Sequence, residues 1–266
     1  MTLLAGGESV IVETTLDNDF KLTADQLDQA ITDNTRLVML NSPSNPTGKA
    51  YTPAELLALG EVILAHPHVL VATDDIYEHI YWGHEPLATL VALIPALRER
   101  SIIINGVSKA YAMTGWRIGY AAGPKAIIAA MRKIQSQSTS NPCSISQAAA
   151  TAALNGPQDC LSTMRDAFKQ RHDYLVEALN QLPGISCSVG NGAFYAFPDV
   201  TEVIAKLDGV NNDVELSTWL LEQAGVAVVP GTPFGAPGFV RLSFATSIEV
   251  LKDAIARISH ALNAQQ

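Results

Sequence analysis

Three short motifs carry the side chains with which this sequence could do chemistry, and each follows a β-rich run. Residues 41–48 (Asn-Ser-Pro-Ser-Asn-Pro-Thr-Gly) contain two prolines and a glycine, which predict a rigid loop that presents the amide of Asn45. Residues 74–77 (Asp-Asp-Ile-Tyr) offer a carboxylate and a phenol, and residues 106–109 (Gly-Val-Ser-Lys) offer an amine, followed eight positions later by Arg117. Because open α/β sheets bind ligands at the carboxyl ends of their strands, the motifs predict a binding site at that edge.

Each motif alone has a simpler explanation. A cluster of Pro, Asn and Gly is often only a turn, an Asp-Asp pair is usually solvated, and a lone lysine is more often a surface residue than a catalytic one. Taken together, however, successive strand ends supply an amide, an acid with a phenol, and an amine with a guanidinium. These are the functional groups that pyridoxal phosphate requires.

With these motifs the sequence resembles the fold-type I pyridoxal-phosphate-dependent aminotransferases of class I/II, and most closely their bacterial aspartate aminotransferase-like subgroup. The resemblance runs from Ala5-Gly6-Gly7 to the C-terminal helix and is carried by the motifs at 45–48, 74–77 and 108–120 (Ser-Lys-x-Tyr-x-Met-Thr-Gly-Trp-Arg-Ile-Gly-Tyr). It implies an α/β fold: a large domain with a mostly parallel sheet, followed by a smaller α+β domain. It also implies homodimers, at least of the full-length form.

The resemblance assigns catalytic roles to three residues. Lys109 is expected to attach pyridoxal phosphate and to move the proton between the substrate α-carbon and the cofactor. Asp74 is expected to keep the pyridine nitrogen protonated, so that the ring can accept electrons. Tyr77 is expected to donate a hydrogen bond to the phenolic oxygen of the cofactor, which stabilises its ionised form.

Further residues are expected to bind the cofactor or the substrate. Asn45 is expected to contact the same phenolic oxygen and the substrate. Arg117, with Ser108, is expected to hold the phosphate. Arg241 lies on a predicted strand between apolar neighbours, where a charge is costly unless it is paired; the resemblance gives it the substrate α-carboxylate, and a structural ion pair is the alternative. Members of the family often carry a hydroxyl where this chain has Gly106, so one phosphate contact is expected to be missing.

The elements that must position these residues follow a βα alternation. Thr52, Pro53 and Glu55 form the clearest helix start, a capping box with proline in the first turn. Strands are predicted at 36–40, 69–73, 101–105, 117–122, 185–197, 226–229 and 240–244, and helices at 125–134, 158–181, 213–224 and 248–262. The pattern predicts a partial large domain over residues 1–160 and a small domain over residues 161–266.

Composition narrows the function classes. The 266 residues carry a net charge of −9 without basic clusters, which argues against nucleic acid or a membrane surface as partner and favours small molecules. No apolar run is long enough to span a membrane, and the start lacks a signal-peptide pattern, so a cytoplasmic location is expected. Cys143, Cys160 and Cys187 are predicted to be reduced thiols, with no metal site. Trp82 and the six histidines are predicted to have structural roles only.

Substrate choice stays open at this point. The predicted reaction is transamination of an L-amino acid, aspartate or an aromatic or broad set, with a 2-oxo acid, 2-oxoglutarate, as amino acceptor. Residues 135–139, directly before the Ser-Asn-Pro at 140–142, contain no arginine that could bind a side-chain carboxylate. A carbon-sulfur lyase with the same cofactor, a ligand-sensing domain and an inactive fragment are the alternatives.

Members of the family are considerably longer, and Met1 resembles an internal start. The expected missing portion would hold the helix start that cradles the phosphate and the aromatic residue that stacks on the pyridine ring. Weak cofactor binding and impaired turnover of this chain are therefore expected.

Overall fold

A computed structural model describes residues 2–264. The helices are α1 (Ala24–Ala30), α2 (Pro53–Ala65), α3 (Leu90–Leu93), α4 (Lys125–Ser138), α5 (Ser144–Asn155), α6 (Asp159–Asn180), α7 (Thr201–Lys206), α8 (Asp213–Trp219) and α9 (Ile248–Asn263). The strands are β1 (Leu37–Asn41), β2 (Leu70–Asp74), β3 (Ser101–Gly106), β4 (Gly119–Ala122), β5 (Tyr195–Ala196), β6 (Val229–Pro230) and β7 (Val240–Ser243). The chain divides into two compact units: residues 2–42, 51–76 and 85–155 form the first, and residues 43–50, 77–84 and 156–264 form the second.

A four-stranded sheet in the order β1-β2-β3-β4 organises the first unit. The strands β1, β2 and β3 run parallel, with Asn41 opposite Asp74 and Asp74 opposite Ile104. β4 is antiparallel to β3 and pairs Gly119 with Gly106. The short apolar runs of β2 and β3 suit strands whose faces are covered, as parallel sheets require. The mostly parallel sheet that the sequence predicts is thereby confirmed.

Helix α2 begins as its sequence predicts. The Thr52 side chain accepts the Glu55 backbone N–H, while the Glu55 carboxylate accepts the Thr52 backbone N–H at 2.7 Å. Leu59 and Ile63 on this helix are fully buried in an apolar cluster with Leu56, and Leu97 joins the same cluster. Capping and burial thus fix the helix against the core of the first unit.

A small antiparallel sheet in the order β5-β7-β6 organises the second unit, together with α6 and α9. Helix α6 buries a face that includes Phe168, His172 and Leu175. Phe244, just after β7, is completely buried and packs edge-on against Phe168. An aromatic core therefore lies beside the strand that carries the predicted substrate arginine.

Two predicted strands are wrong in extent. The strand predicted over 185–197 is limited to β5 and isolated bridges at Ser186 and Gly192, and the strand predicted over 226–229 begins only at Val229. The helix predicted over 213–224 is confirmed in extent, although it is α-helical only as far as Trp219 and π-helical over Leu220–Ala224.

The division of the chain into compact units falls between Asn155 and Gly156, and it assigns residues 43–50 and 77–84 to the second unit. The predicted domain boundary at residue 160 lies inside α6, which begins at Asp159. It stays a prediction, because compactness alone does not define functional domains. Over residues 2–264, no helix is both long enough and apolar enough to cross a membrane.

Candidate functional site

The register of the four-stranded sheet brings three predicted residues of the first unit to one edge. Asp74 ends β2, and Lys109 follows the end of the neighbouring parallel strand β3. Because β4 runs antiparallel to β3, its start lies at the same edge, and Arg117 comes two residues before that start. The residues that carry a carboxylate, an amine and a guanidinium therefore follow or precede adjacent strand ends at the carboxyl edge of the sheet, where α/β proteins bind ligands.

The backbone around Asp74 is held by its neighbours. Its carbonyl oxygen accepts the Asn41 side-chain amide at 3.0 Å, and its Oδ1 accepts the backbone N–H of Ile76 at 3.2 Å. The side chain is half-buried, whereas the adjacent Asp75 is fully buried and accepts the Thr73 hydroxyl at 3.2 Å. The two neighbouring carboxylates are thus different: Asp75 has a structural hydrogen bond, and Asp74 is the one that solvent or a ligand can reach.

Lys109 and Ser108 occupy a tight turn after β3. Both side chains are half-buried, and the Lys109 carbonyl accepts the Ala112 N–H at 3.3 Å. Gly106 explains the absent hydroxyl: a Cβ there would lie 3.1 Å from both the Gly119 Cα and the Ile76 Cδ1. Both contacts would be tight, so glycine fits here without displacing either neighbour.

Arg117 has left-handed backbone geometry, with φ of 50°. It ends a 3₁₀ turn over Thr114–Trp116, and its guanidinium donates to the Thr114 carbonyl at 3.0 Å. Left-handed geometry at a residue other than glycine costs free energy, of order 1–3 kcal/mol, and such residues cluster at functional sites. Its guanidinium is exposed at the sheet edge, so it is available to an anionic ligand.

Within the second unit, Arg241 and Asn45 are in direct contact. The Arg241 Nη1 donates to the Asn45 Oδ1 at 2.8 Å, although 196 positions separate the two residues. The guanidinium carbon lies 4.5 Å from the ring centre of Tyr195 and 5.2 Å from that of Phe234. Since a guanidinium only donates, the contact fixes the amide orientation of Asn45, with its Nδ2 directed elsewhere.

The Nε of Arg241 is buried and has no hydrogen-bond partner among residues 2–264. Among those residues no carboxylate is paired with this guanidinium, which donates instead to the neutral amide of Asn45. A buried cation is costly without an anion. No structural ion pair of Arg241 is present among residues 2–264, and the arrangement suits an anionic ligand.

Tyr77 is buried in the second unit, where its hydroxyl lies 2.9 Å from the hydroxyl of Tyr195. The two rings contact edge-on, with centres 5.9 Å apart. Since the Tyr195 ring also lies against Arg241, one residue connects the predicted cofactor phenol with the predicted substrate cation.

The loop of residues 43–50, which carries Asn45, is hydrogen-bonded to the turn of residues 190–192. The backbone N–H groups of Asn191 and Gly192 both donate to the Gly48 carbonyl at 2.9 Å. The Asn191 Oδ1 accepts the backbone N–H of Ala50 at 2.8 Å. Gly48 has φ of +68°, and a Cβ there would lie 2.9 Å from the Gly192 oxygen, so only glycine fits.

The predicted site residues thus fall into two sets. Asp74, Ser108, Lys109 and Arg117 share the sheet edge of the first unit, and Asn45, Tyr77 and Arg241 belong to the second unit. Sequence reasoning gave no role to Tyr195 or Phe234. The signal available in the sequence was an aromatic residue shortly after a glycine, at Tyr195 and at Phe234.

Over the described residues 2–264, no cluster of three or more His, Cys, Asp or Glu side chains could hold a metal ion. Cys143, Cys160 and Cys187 are free thiols. Burial raises the pKa of the Cys187 thiol to about 11, which keeps it protonated and unreactive at neutral pH.

Comparisons with known proteins point to one family. The family model "Aminotransferase class I and II" matches residues 2–258. The chain is 49% identical to an aspartate/prephenate aminotransferase of Nitrosomonas europaea over 99% of the chain and 68% of that relative. It is 52% identical to an aspartate aminotransferase of Geobacillus stearothermophilus over 98% of the chain and 66% of that relative.

Solved structures give the same result. The crystal structure of an aspartate aminotransferase from Rhizobium meliloti superposes with a TM-score of 0.92 at 48% identity, over 97% of this chain and 65% of that one. An aromatic aminotransferase from Pyrococcus horikoshii gives a TM-score of 0.90 at 35% identity, over 99% and 69%. The chain thus spans about two thirds of the length of the relatives that it matches.

Proposed function

The chain belongs to the class I and II aminotransferases, and on that premise we propose that it takes part in transferring the amino group of an L-amino acid to a 2-oxo acid. The cofactor of this family is pyridoxal phosphate. Aspartate is the proposed donor and 2-oxoglutarate the proposed acceptor, with aromatic or broader amino acids next. The relatives named as aspartate and aromatic aminotransferases support this order.

The residues of the first unit fit pyridoxal phosphate. The fit rests on the donor set at the sheet edge: a half-buried carboxylate, a half-buried amine and an exposed guanidinium at adjacent strand ends. When bound, the cofactor supplies an electron sink for the bond broken at the substrate α-carbon. We assign its pyridine nitrogen to Asp74, its aldehyde carbon to Lys109 and its phosphate to Arg117, with Ser108 adding a hydroxyl.

Each of these residues has its own task. The Lys109 amine takes the proton from the substrate α-carbon and would deliver it to the cofactor. The Asp74 carboxylate holds a proton on the ring nitrogen by a charge-assisted hydrogen bond. The Tyr77 hydroxyl and the Asn45 amide are proposed to donate to the phenolic oxygen.

The proposal rests chiefly on the surroundings of the Arg241 guanidinium. This group is a cation with a buried, unpartnered Nε, held between two aromatic rings and a neutral amide. A carboxylate bound in two-point contact by the guanidinium would satisfy this donor and neutralise the charge. Amino acids and 2-oxo acids share an α-carboxylate, so both substrates of a transamination can use the same cation.

Replacement of Arg241 tests this assignment. Arg241→Ala should lower kcat/KM for aspartate and for 2-oxoglutarate alike, by about 30- to 1,000-fold, the equivalent of roughly 2–4 kcal/mol for a lost buried charge pair. Arg241→Lys should restore little, because an ammonium lacks the planar fork. Steady-state kinetics with aspartate and 2-oxoglutarate, following glutamate formation, is the measurement.

Arg257→Ala is the matched control, since Arg257 is exposed and pairs with Asp253 on α9. An equal loss in both variants would contradict the assignment. Glutamate formation also separates transamination from elimination, because a carbon-sulfur lyase releases product without consuming 2-oxoglutarate.

Homodimers and a cytoplasmic location belong to the same proposal. Family membership supports the former. The odd number and wide spacing of the three cysteines support the latter, since secreted proteins of this size favour paired cysteines.

A further inference from the structure

We propose that His172 is a positioning residue for the carboxylate site and acts as a neutral hydrogen-bond acceptor for the turn of residues 190–192. The inference deepens the proposed function, because it concerns the loop that holds Asn45 against Arg241. His172 is 1% exposed and lies on α6, and its hydrogen bonds are to the Gly190 backbone N–H and the Asp173 side chain. Its effect must therefore pass through the backbone.

The hydrogen bonds of His172 fix its protonation state. The backbone N–H of Gly190 donates to the His172 Nε2 at 3.0 Å, so this nitrogen must carry a lone pair. The Nδ1 lies 3.0 Å from the Asp173 carboxylate, which can only accept, so the proton is on Nδ1. Both contacts are satisfied together only by the neutral Nδ1–H tautomer.

The groups around His172 favour that neutral form. Trp82 and Phe244 pack against the ring, with centres 5.2 and 5.8 Å away, and neither is charged. The charged groups that act on the ring are Asp173 and Lys169 on its own helix and Lys49 on the loop of residues 43–50. Burial lowers the pKa of His172 below its ordinary value, the Asp173 carboxylate opposes the shift, and the two lysines add to it.

A continuous set of contacts leads from His172 to the site. Gly190 is held at its N–H by His172 and at its carbonyl by the Trp82 indole N–H, at 3.2 Å. The next two residues donate to the Gly48 carbonyl, and the Gly48 N–H donates to the Ser44 carbonyl at 2.9 Å. Asn45 lies inside that turn and accepts from Arg241.

Loss of the His172 Nε2 acceptor should disturb the turn of residues 190–192. Without this acceptor, the Gly190 N–H is buried and has no hydrogen-bond partner, which costs free energy, so the turn is expected to shift. The turn and the loop of residues 43–50 are directly coupled, because the backbone N–H groups of Asn191 and Gly192 both donate to the Gly48 carbonyl at 2.9 Å. A shift of the turn must therefore also move the loop of residues 43–50.

Nuclear magnetic resonance on the unliganded chain tests the proposal without relying on turnover. At pH 7.5 the ¹⁵N shifts of His172 should report the Nδ1–H tautomer, with a scalar coupling between its Nε2 and the Gly190 nitrogen. The Nε2–H tautomer or an imidazolium would overturn the proposal.

Two variants test the coupling to the site. His172→Phe keeps a ring but removes the acceptor, whereas His172→Gln places an amide oxygen near the position of Nε2. In His172→Phe, amide exchange at Gly190, Asn191 and Gly192 should rise about tenfold, as expected for one lost hydrogen bond, and the side-chain amide resonance of Asn45 should shift. His172→Gln should resemble the wild type. Unchanged exchange at Asn191 and an unchanged Asn45 resonance in His172→Phe would overturn the proposal.

Kinetics adds an independent readout. In His172→Phe the KM for aspartate should rise several-fold with a smaller change in kcat, and His172→Gln should recover it. An unchanged KM would overturn the positioning role. Failure of the proposed function itself would be distinguishable, because the wild type would then show no turnover while the exchange and tautomer measurements still decide the role of His172.

Discussion

Asp74 is the residue whose charge, rather than shape, the proposed reaction requires. Asp74→Asn preserves the hydrogen bond to the Ile76 N–H through the amide oxygen, so the local fold should survive. Turnover should fall about 10- to 100-fold or more, the equivalent of a charge-assisted hydrogen bond of roughly 1.5–3 kcal/mol. Cofactor absorbance and steady-state rates on the same sample measure the two effects. An Asp74→Asn variant with wild-type turnover would remove the role assigned here.

Protonation of His172 should make the free energy of unfolding depend on pH. Since its pKa is lowered from 6.5 in the folded chain, the unfolded chain binds more protons at mildly acidic pH. The free energy of unfolding should therefore be largest above about pH 6.5 and should fall as the pH drops toward the folded-state pKa. Urea unfolding at several pH values measures this slope. In His172→Gln the slope should be smaller, and an identical slope would show that another group is responsible.

The residues of the site differed in how well the sequence revealed them. Lys109 and Asp74 follow apolar strands within short motifs, so adjacent strand ends were enough to place them at one edge. The contact between Asn45 and Arg241 joins residues 196 positions apart, and no local pattern encodes it. His172 was predicted to be merely structural, because its partner is a backbone N–H and leaves no trace in the sequence.

At the scale of elements, the cap of α2 can be tested directly. Thr52→Ala removes the acceptor for the Glu55 N–H and should lower the free energy of unfolding by about 1 kcal/mol. Thr163→Ala is the control, since this exposed threonine lies inside α6 and bonds only a carbonyl of its own helix, at 3.2 Å. Its effect should stay within about 0.5 kcal/mol. Equal losses in urea unfolding would contradict the capping argument.

Element boundaries were predictable where local signals set them. Helix α2 begins at a capping box, and α6 keeps its apolar spacing from Asp159 to Asn180, so both agree with the sequence. The segment before β5 does not form a strand, because its backbone hydrogen bonds go to several separate partners and not to one neighbouring strand. The Asn180 amide accepts the Cys187 N–H at 2.8 Å and donates to the Cys187 carbonyl at 2.9 Å. Such tertiary contacts override an apolar, β-like composition.

At the scale of the whole molecule, the proposed chemistry is divided between the two units. Asp74, Lys109 and Arg117, to which we assign the cofactor, belong to the first unit, and the proposed roles of Asn45, Tyr77 and Arg241 fall on residues of the second. The loop of residues 43–50 and the segment of residues 77–84 belong to the second unit although their neighbours in sequence belong to the first. The sequence offers no local signal for such an exchange of segments, because it depends on contacts between residues far apart along the chain.

The central claim is that Lys109 is the amine that holds pyridoxal phosphate, and chemical trapping tests it most directly. The chain is mixed with pyridoxal phosphate at low excess, reduced with borohydride and digested, and the labelled peptides are identified by mass spectrometry. We expect the label on the peptide that contains Lys109, with loss of that label in Lys109→Ala and spread over many lysines in the urea-unfolded chain. Label distributed in the folded chain over exposed lysines such as Lys169 and Lys206, with none on Lys109, would contradict the account.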